Sequence, residues 1–178
     1  GDNSAGTYDL TRAANGNYSQ GYIGYGAFFN STATEDTYYT GSKPTLGVHG
    51  SYTFCLWIKP SSTQKQNDIL GMQGEDSGSI GFSVGDDGSL SYWIDGGFFD
   101  GAATSSPGVI TPGVWQHVCV ATYPGTYLNA ILYVNGELVA DSDVGELGIN
   151  NAFWLGATPY DDASQRFDGM MDEVRLYT

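Results

Sequence analysis

Apolar side chains recur at every second position over short runs of this chain, and the runs are separated by Gly, Asn, Asp and Pro. A period of two is the pattern of a strand with one face buried, and no segment of convincing length repeats at the helical period. The clearest runs are Tyr52–Ile58, Ser79–Val84, Ser89–Ile94, Trp115–Val120, Leu128–Val134, Ala152–Leu155 and Asp172–Tyr177, with Tyr22–Phe29 reading as an opening strand. Phe54, Leu56 and Ile58 share one strand face, as do Ile80, Phe82 and Val84, and Leu90, Tyr92 and Ile94. These sets predict packing between two antiparallel sheets about 10 Å apart.

Two tight turns follow from residue chemistry. Gly85-Asp86-Asp87-Gly88 joins two alternating runs, and Asn135-Gly136 sits where both residues can take positive φ, so each predicts a hairpin. Glu137, Asp141, Asp143 and Glu146 follow the second turn in a stretch that reads as loop. The 26 glycines show no fixed period, and neither a repeat nor a linker tract divides the chain, which predicts one all-β domain over 1–178. A chain of 178 residues can bury roughly 70% of the surface it exposes unfolded.

Charge narrows the partners. Six basic against 20 acidic residues give a formal net charge of -14, which opposes encounter with nucleic acid or an anionic membrane; calcium is the natural counter-ligand, and solvated loop carboxylates that keep the protein soluble are the alternative. No run approaches the 18 or so apolar residues of a membrane span, so no membrane insertion is expected. The start at Gly1, without Met or a leader pattern, suggests a mature or excised segment.

Several segments, in their order and spacing, resemble the laminin-G-like jelly rolls of the concanavalin-A-like lectin and glucanase superfamily. They are the cluster Asp2 to Gly6, the Gly-rich strand Gly21 to Asn30, Tyr52 to Pro60, Trp115 to Val118, Leu132 to Gly136, and Phe167 to Tyr177. The resemblance covers nearly the full length. It implies a two-sheet antiparallel jelly-roll sandwich in a secreted or surface-displayed protein, and a structural calcium near the first and last strands, on Asp2, Asn3, Asn30 and Asp172. Hard oxygen donors on a tight loop suit that ion. Asp161-Asp162 is a second, weaker calcium candidate.

Cys55 and Cys119 are the only two cysteines, each in mid-strand. In an extracellular setting such a pair is most simply a disulfide, and it is similar to the single bridge of the pentraxins. Two buried free thiols are the alternative.

Catalytic chemistry is not apparent. No strand carries paired carboxylates at glycosidase spacing, and Asp172-Glu173, being adjacent, would point to opposite faces. His117 reads as a structural strand residue, and no nucleophile constellation or phosphate loop accompanies it. The expectation is a module without enzyme activity.

Alternation offers a binding surface instead. With Leu90, Tyr92 and Ile94 inward, Trp93 points out, and Trp154 between Phe153 and Leu155 does the same. Phe98, Phe99 and Tyr160 lie in nearby loops, while Asp95, Asp100, Asp161, Asp162, Gln165 and Arg166 are placed to supply a polar rim. Aromatic faces stack on the apolar faces of sugar rings, so a glycan is the expected ligand. The competing reading is a structural or protein-contact domain of a surface layer or viral particle, in which the same aromatics bind a surface protein or merely cover sheet edges. Asn17-Tyr18-Ser19 and Asn30-Ser31-Thr32 are glycosylation sequons.

Overall fold

The computed structural model describes residues 10–12, 17–31, 38–40, 51–74, 78–95, 99–146, 149–158 and 164–177. Among them are fourteen strands and no helix. The strands are β1 (Leu10–Arg12), β2 (Asn17–Gln20), β3 (Tyr25–Phe29), β4 (Tyr38–Thr40), β5 (Tyr52–Pro60), β6 (Asn67–Gly74) and β7 (Ser79–Val84). They continue as β8 (Leu90–Asp95), β9 (Phe99–Thr104), β10 (Gln116–Pro124), β11 (Leu128–Val134), β12 (Glu137–Glu146), β13 (Ile149–Leu155) and β14 (Gly169–Tyr177).

The strand order is β1-β4-β13-β6-β7-β8-β9-β12-β11-β10-β5-β14-β3-β2, with every named pair antiparallel. β9 is the corner: residues 101–104 pair with β8, and 99–100 pair with β12. The ribbon thereby folds into a jelly-roll sandwich, a first sheet running from β1 to β9 and a second from β12 to β2.

The expected inward sets meet between the sheets. Phe54 of β5 packs edge-to-face on Phe82 of β7 and Phe153 of β13, and Phe29 meets Phe167 the same way. Leu56, Ile58, Val84, Leu90, Val118, Val120 and Leu132 are fully buried around them. Each such side chain stabilises the fold by about 1.5–3 kcal/mol relative to leaving it in water. Tyr52 and Tyr92, one from each sheet, join hydroxyl to hydroxyl within this core.

Both predicted hairpins form. Asn135 (φ 52°) and Gly136 (φ 84°) take the left-handed conformations that a two-residue turn between twisted strands demands. At the other, Gly85 N–H donates to the Ser89 carbonyl at 2.8 Å. Cys55 and Cys119 stand directly opposite on β5 and β10 and are joined as a disulfide. Linking residues 64 apart stabilises by about 4 kcal/mol in the chain-entropy account.

Three readings of the sequence need correction. Glu137–Glu146 is a strand and not a loop, with the acids Asp141 and Asp143 exposed and Val144 buried. Phe99 and Asp100 likewise belong to a strand. Tyr22, Ile23 and Gly24 form a turn before β3, closed by a hydrogen bond from Gly21 N–H to the Gly24 carbonyl at 3.0 Å.

The tyrosine pair gives a direct check on the core. Tyr92→Phe leaves the buried Tyr52 hydroxyl without its main partner and is expected to cost about 1–3 kcal/mol, whereas Tyr52→Phe with Tyr92→Phe recovers most of that loss. Urea unfolding of the four proteins measures the coupling, and simple additivity would show none. Burial raises the Tyr52 pKa from 10.0 to about 12 and raises that of Tyr92 as well. The stability held by the neutral pair is therefore present in full below pH 10.0 and lost as pH rises through about 12.

Candidate functional site

β8 keeps Leu90, Tyr92 and Ile94 in the core, so Ser91, Trp93 and Asp95 face outward from the first sheet. β13 buries Phe153 and Leu155, leaving Trp154 half-buried on the same outer surface. The register then sets one row across the sheet: Trp154 opposite Gly71, Gly71 opposite Gly81, Gly81 opposite Trp93, and Trp93 opposite Ala102. Three strand spacings separate the two tryptophan backbones, roughly 14 Å.

The glycines explain how the indoles lie. A Cβ on Gly81 would stand 2.2 Å from ring atoms of Trp93, so the indole lies flat across the sheet where a side chain is missing. Neighbouring positions are polar and mostly uncharged. Gln73, Ser79 and Asp95 form the row on one side, and Ser83, Ser91 and Thr104 the row on the other. The Ser79 hydroxyl is buried without a hydrogen-bond partner, and Ser91 bonds Thr104 at 2.8 Å.

The other residues singled out in the sequence distribute unevenly. Asp95 is exposed beside Trp93. Arg166 is 8% exposed, bridged through its backbone to Asp68, and so is part of the interior and not of an open rim. Phe99 starts β9 at the sheet corner. Phe98, Tyr160, Asp161 and Asp162 lie outside the described residues, as do Asp2 and Asn3.

The implied calcium set is not assembled by the residues that are described. Phe29 pairs with Gly169, which puts Asn30 and Asp172 four ladder positions apart, roughly 13 Å. Asp172, 8% exposed, already accepts the Ile23 N–H on Oδ2 and the Glu173 N–H on Oδ1, each at 2.8 Å. Its carboxylate ties the Gly21–Gly24 turn to the second sheet across 149 residues of sequence. A β-bulge follows, with Glu173 at φ 50°. The ligand atoms of Cys55, His117 and Cys119 lie within 4.8 Å of one another, but the two sulfurs are bonded to each other, so the thiolates a zinc ion requires are lacking.

That turn builds an aromatic cluster the sequence reading missed. Trp57 points outward from β5 between buried Leu56 and Ile58, and Tyr22 stacks on it with centroids 3.6 Å apart and planes at 14°. Trp115 meets Tyr22 edge-on at 6.2 Å, and His117, opposite Trp57 in register, lies 5.2 Å from it. Burial, with the Arg175 guanidinium nearby, holds the His117 imidazole below its ordinary pKa and therefore neutral at pH 7. A signal was present in the alternation of Phe54, Leu56 and Ile58, which exposes Trp57 as surely as Leu90, Tyr92 and Ile94 expose Trp93.

Comparison with solved structures agrees with this architecture. Domain 4 of AbnA, a GH43 extracellular arabinanase from Geobacillus stearothermophilus in complex with arabinotriose, superposes with a TM-score of 0.74 at 21% identity, covering 97% of this chain and 82% of that one. The binding domain of Paraclostridial Mosquitocidal Protein 1 gives 0.75 at 13% identity, covering 96% of this chain, which spans only 44% of that one. The CBM40 of the Ruminococcus gnavus IT-sialidase gives 0.60 at 14%, covering 96% and 89%. No curated protein sequence matches the chain.

Asp172 makes the role of this region testable. Asp172→Ala is expected to lower stability by about 2–4 kcal/mol and to speed amide exchange at Ile23, because two N–H groups lose a charged acceptor. Calcium or chelator should leave the wild-type melting temperature unchanged; a rise with calcium that the variant loses would make Asp172 a metal ligand instead.

The family model for the concanavalin A-like lectin/glucanases superfamily matches residues 31–178, and with the sandwich described above the chain belongs to the laminin-G-like members of that superfamily.

Proposed function

We propose that residues 1–178 form a non-catalytic carbohydrate-binding module of an extracellular protein, which holds a glycan on the outer face of its first sheet. The observation that carries this reading is the row of Trp154, Gly71, Gly81 and Trp93. The Trp93 indole lies flat over Gly81 with Trp154 at the far end of the row, and hydroxyl and amide groups border it. Pyranose and furanose rings present apolar C–H faces to such platforms and hydroxyls to such borders. Asp95 and Ser79 on one side, and Ser83 and Ser91 on the other, each stand two residues from the row.

The similarity to domain 4 of the arabinanase, solved with arabinotriose, and to a sialidase CBM40 supports a sugar over a protein ligand. The cross-strand disulfide supports an oxidising, extracellular location. Phe98, Phe99, Tyr160 and Arg166 are secondary in this reading, and calcium enters it only through a chelator control.

A glycan array tests the assignment. Wild-type protein is expected to retain one class of neutral glycan, and Trp93→Ala or Trp154→Ala to weaken that retention by about 2 kcal/mol, roughly thirtyfold, with the melting temperature unchanged. Gly81→Ala should imitate Trp93→Ala, since the new methyl displaces the indole. An array that stays silent with and without chelator would favour the scaffold reading, with the aromatics as a protein contact.

A further inference from the structure

The Tyr22 cluster has no part in the first-sheet platform. It lies on the opposite outer face, since Trp57 and His117 project from β5 and β10 of the second sheet. Its parts are held with more apparatus than surface packing needs. The buried Asp172 carboxylate clamps the turn that carries Tyr22, and Gly21 is required there because a Cβ would stand 2.5 Å from Asp172 Oδ2. Asn135 Oδ1 accepts the His117 N–H at 2.9 Å, and Asn135 N–H returns a bond to the His117 carbonyl at 2.7 Å. Together Trp57, His117, Asn135 and Gly136 line an open depression of about 400 Å³.

We infer that this depression belongs to a second saccharide site, with the His117 imidazole and Asn135 amide as its polar contacts and the exposed ring of Tyr22, stacked on the lining residue Trp57, as the platform beside it. The inference takes its ligand class, though not its location, from the reading of the first sheet. Trp57 backs Tyr22 as a second layer, which keeps the phenol ring flat and 48% exposed. Asn135 spends its oxygen on the His117 backbone and turns its two amide N–H donors outward, matching a sugar hydroxyl. The neutral His117 ring turns Nδ1 to the Cys119 sulfur at 3.8 Å, which leaves Nε2 for a ligand. In a domain of net charge -14, the Arg175 guanidinium near His117 is paired with Glu173, which favours an uncharged ligand. Because the two sites face away from each other across a sandwich with about 10 Å between its sheets, one short glycan cannot occupy both, and the domain would bridge two strands.

The four tryptophans report on the two faces separately: Trp93 and Trp154 on the first sheet, Trp57 and Trp115 on the second. Their indole N–H signals, assigned with single Trp→Phe variants, are followed by NMR as arabinotriose, lactose and cellotriose are each added to millimolar concentration. The expected result is movement of both pairs with separate saturation curves. Tyr22→Ala, which keeps the backbone bond to Asp172, should weaken the Trp57 and Trp115 response roughly tenfold or more and leave the other pair unchanged. Movement of Trp93 and Trp154 alone overturns the second site and spares the first. A Trp57 response that disappears in Trp93→Ala is relayed from the first face and also overturns it. If neither pair moves, both readings fall; if Trp57 and Trp115 shift with protein concentration alone, the cluster is a self-association surface.

Discussion

Phe54 reaches across the gap between the sheets to Phe82 and Phe153, Tyr52 joins Tyr92 beside them, and Phe29 locks against Phe167. These contacts fix more than stability. A strand shows alternate residues to opposite sides, so a slip of one residue would turn every core side chain to water and every surface side chain inward. With Phe54 inward, Trp57 must face out; with Tyr92 inward, so must Trp93. The exposure of the indoles is thus imposed by the core, at a cost in apolar surface that scattered polar residues would have avoided.

What the outer faces do with those indoles depends on missing side chains and on one buried charge. Gly81 gives the Trp93 ring a flat bed, and Gly21 lets the chain close over Asp172 so that Tyr22 lands on Trp57. Both arrangements hold an aromatic ring on regular sheet or on a turn tied to it. A ligand meeting them would therefore order little of the protein, and most of the stacking energy would appear as affinity. Ser79 is the uncompensated element: a buried hydroxyl without a partner costs about 1–3 kcal/mol, and that cost stands beside the tryptophan row and not in the core centre.

The legible part of the sequence was the part governed by local alternation. β5, β7, β8 and β11 each bury every second residue or nearly all residues, and their runs read directly as strands. β6 escaped because a register shift between Asp68 and Leu70 breaks its alternation, leaving Ile69 and Leu70 both buried after the polar Asn67 and Asp68. β12 escaped because small Ala140 and Ser142 stand between its exposed acids. Tyr22 to Gly24 reads as the start of a strand yet is a turn, held by a carboxylate 149 residues away that no local pattern could announce. For the same reason Trp93 was legible as an outward ring while its bed on Gly81 was not, since that pairing is a matter of register. Asn30 and Asp172 came together in the sequence reading only through family analogy, and the β3–β14 register separates them.

The net charge of -14 bears on the ligand that either face would favour. Among the described acids, Asp141 and Asp143 lie outward on β12 and Glu173 is paired with Arg175, while Asp95 stands exposed beside Trp93. Of the basic side chains, Arg166 is buried and Arg175 is engaged by Glu173. An anionic sugar would approach against the field of the whole domain and meet exposed Asp95 at the tryptophan row. A neutral polysaccharide meets neither obstacle. It also repeats the same ring many times, which suits modest stacking platforms on opposed faces: a second contact to the same matrix is made at the high local concentration the first one creates. Two weak sites pointing apart would then hold a fibrous or surface-bound glycan more firmly than one tight site, and would do so without a deep cleft on either sheet.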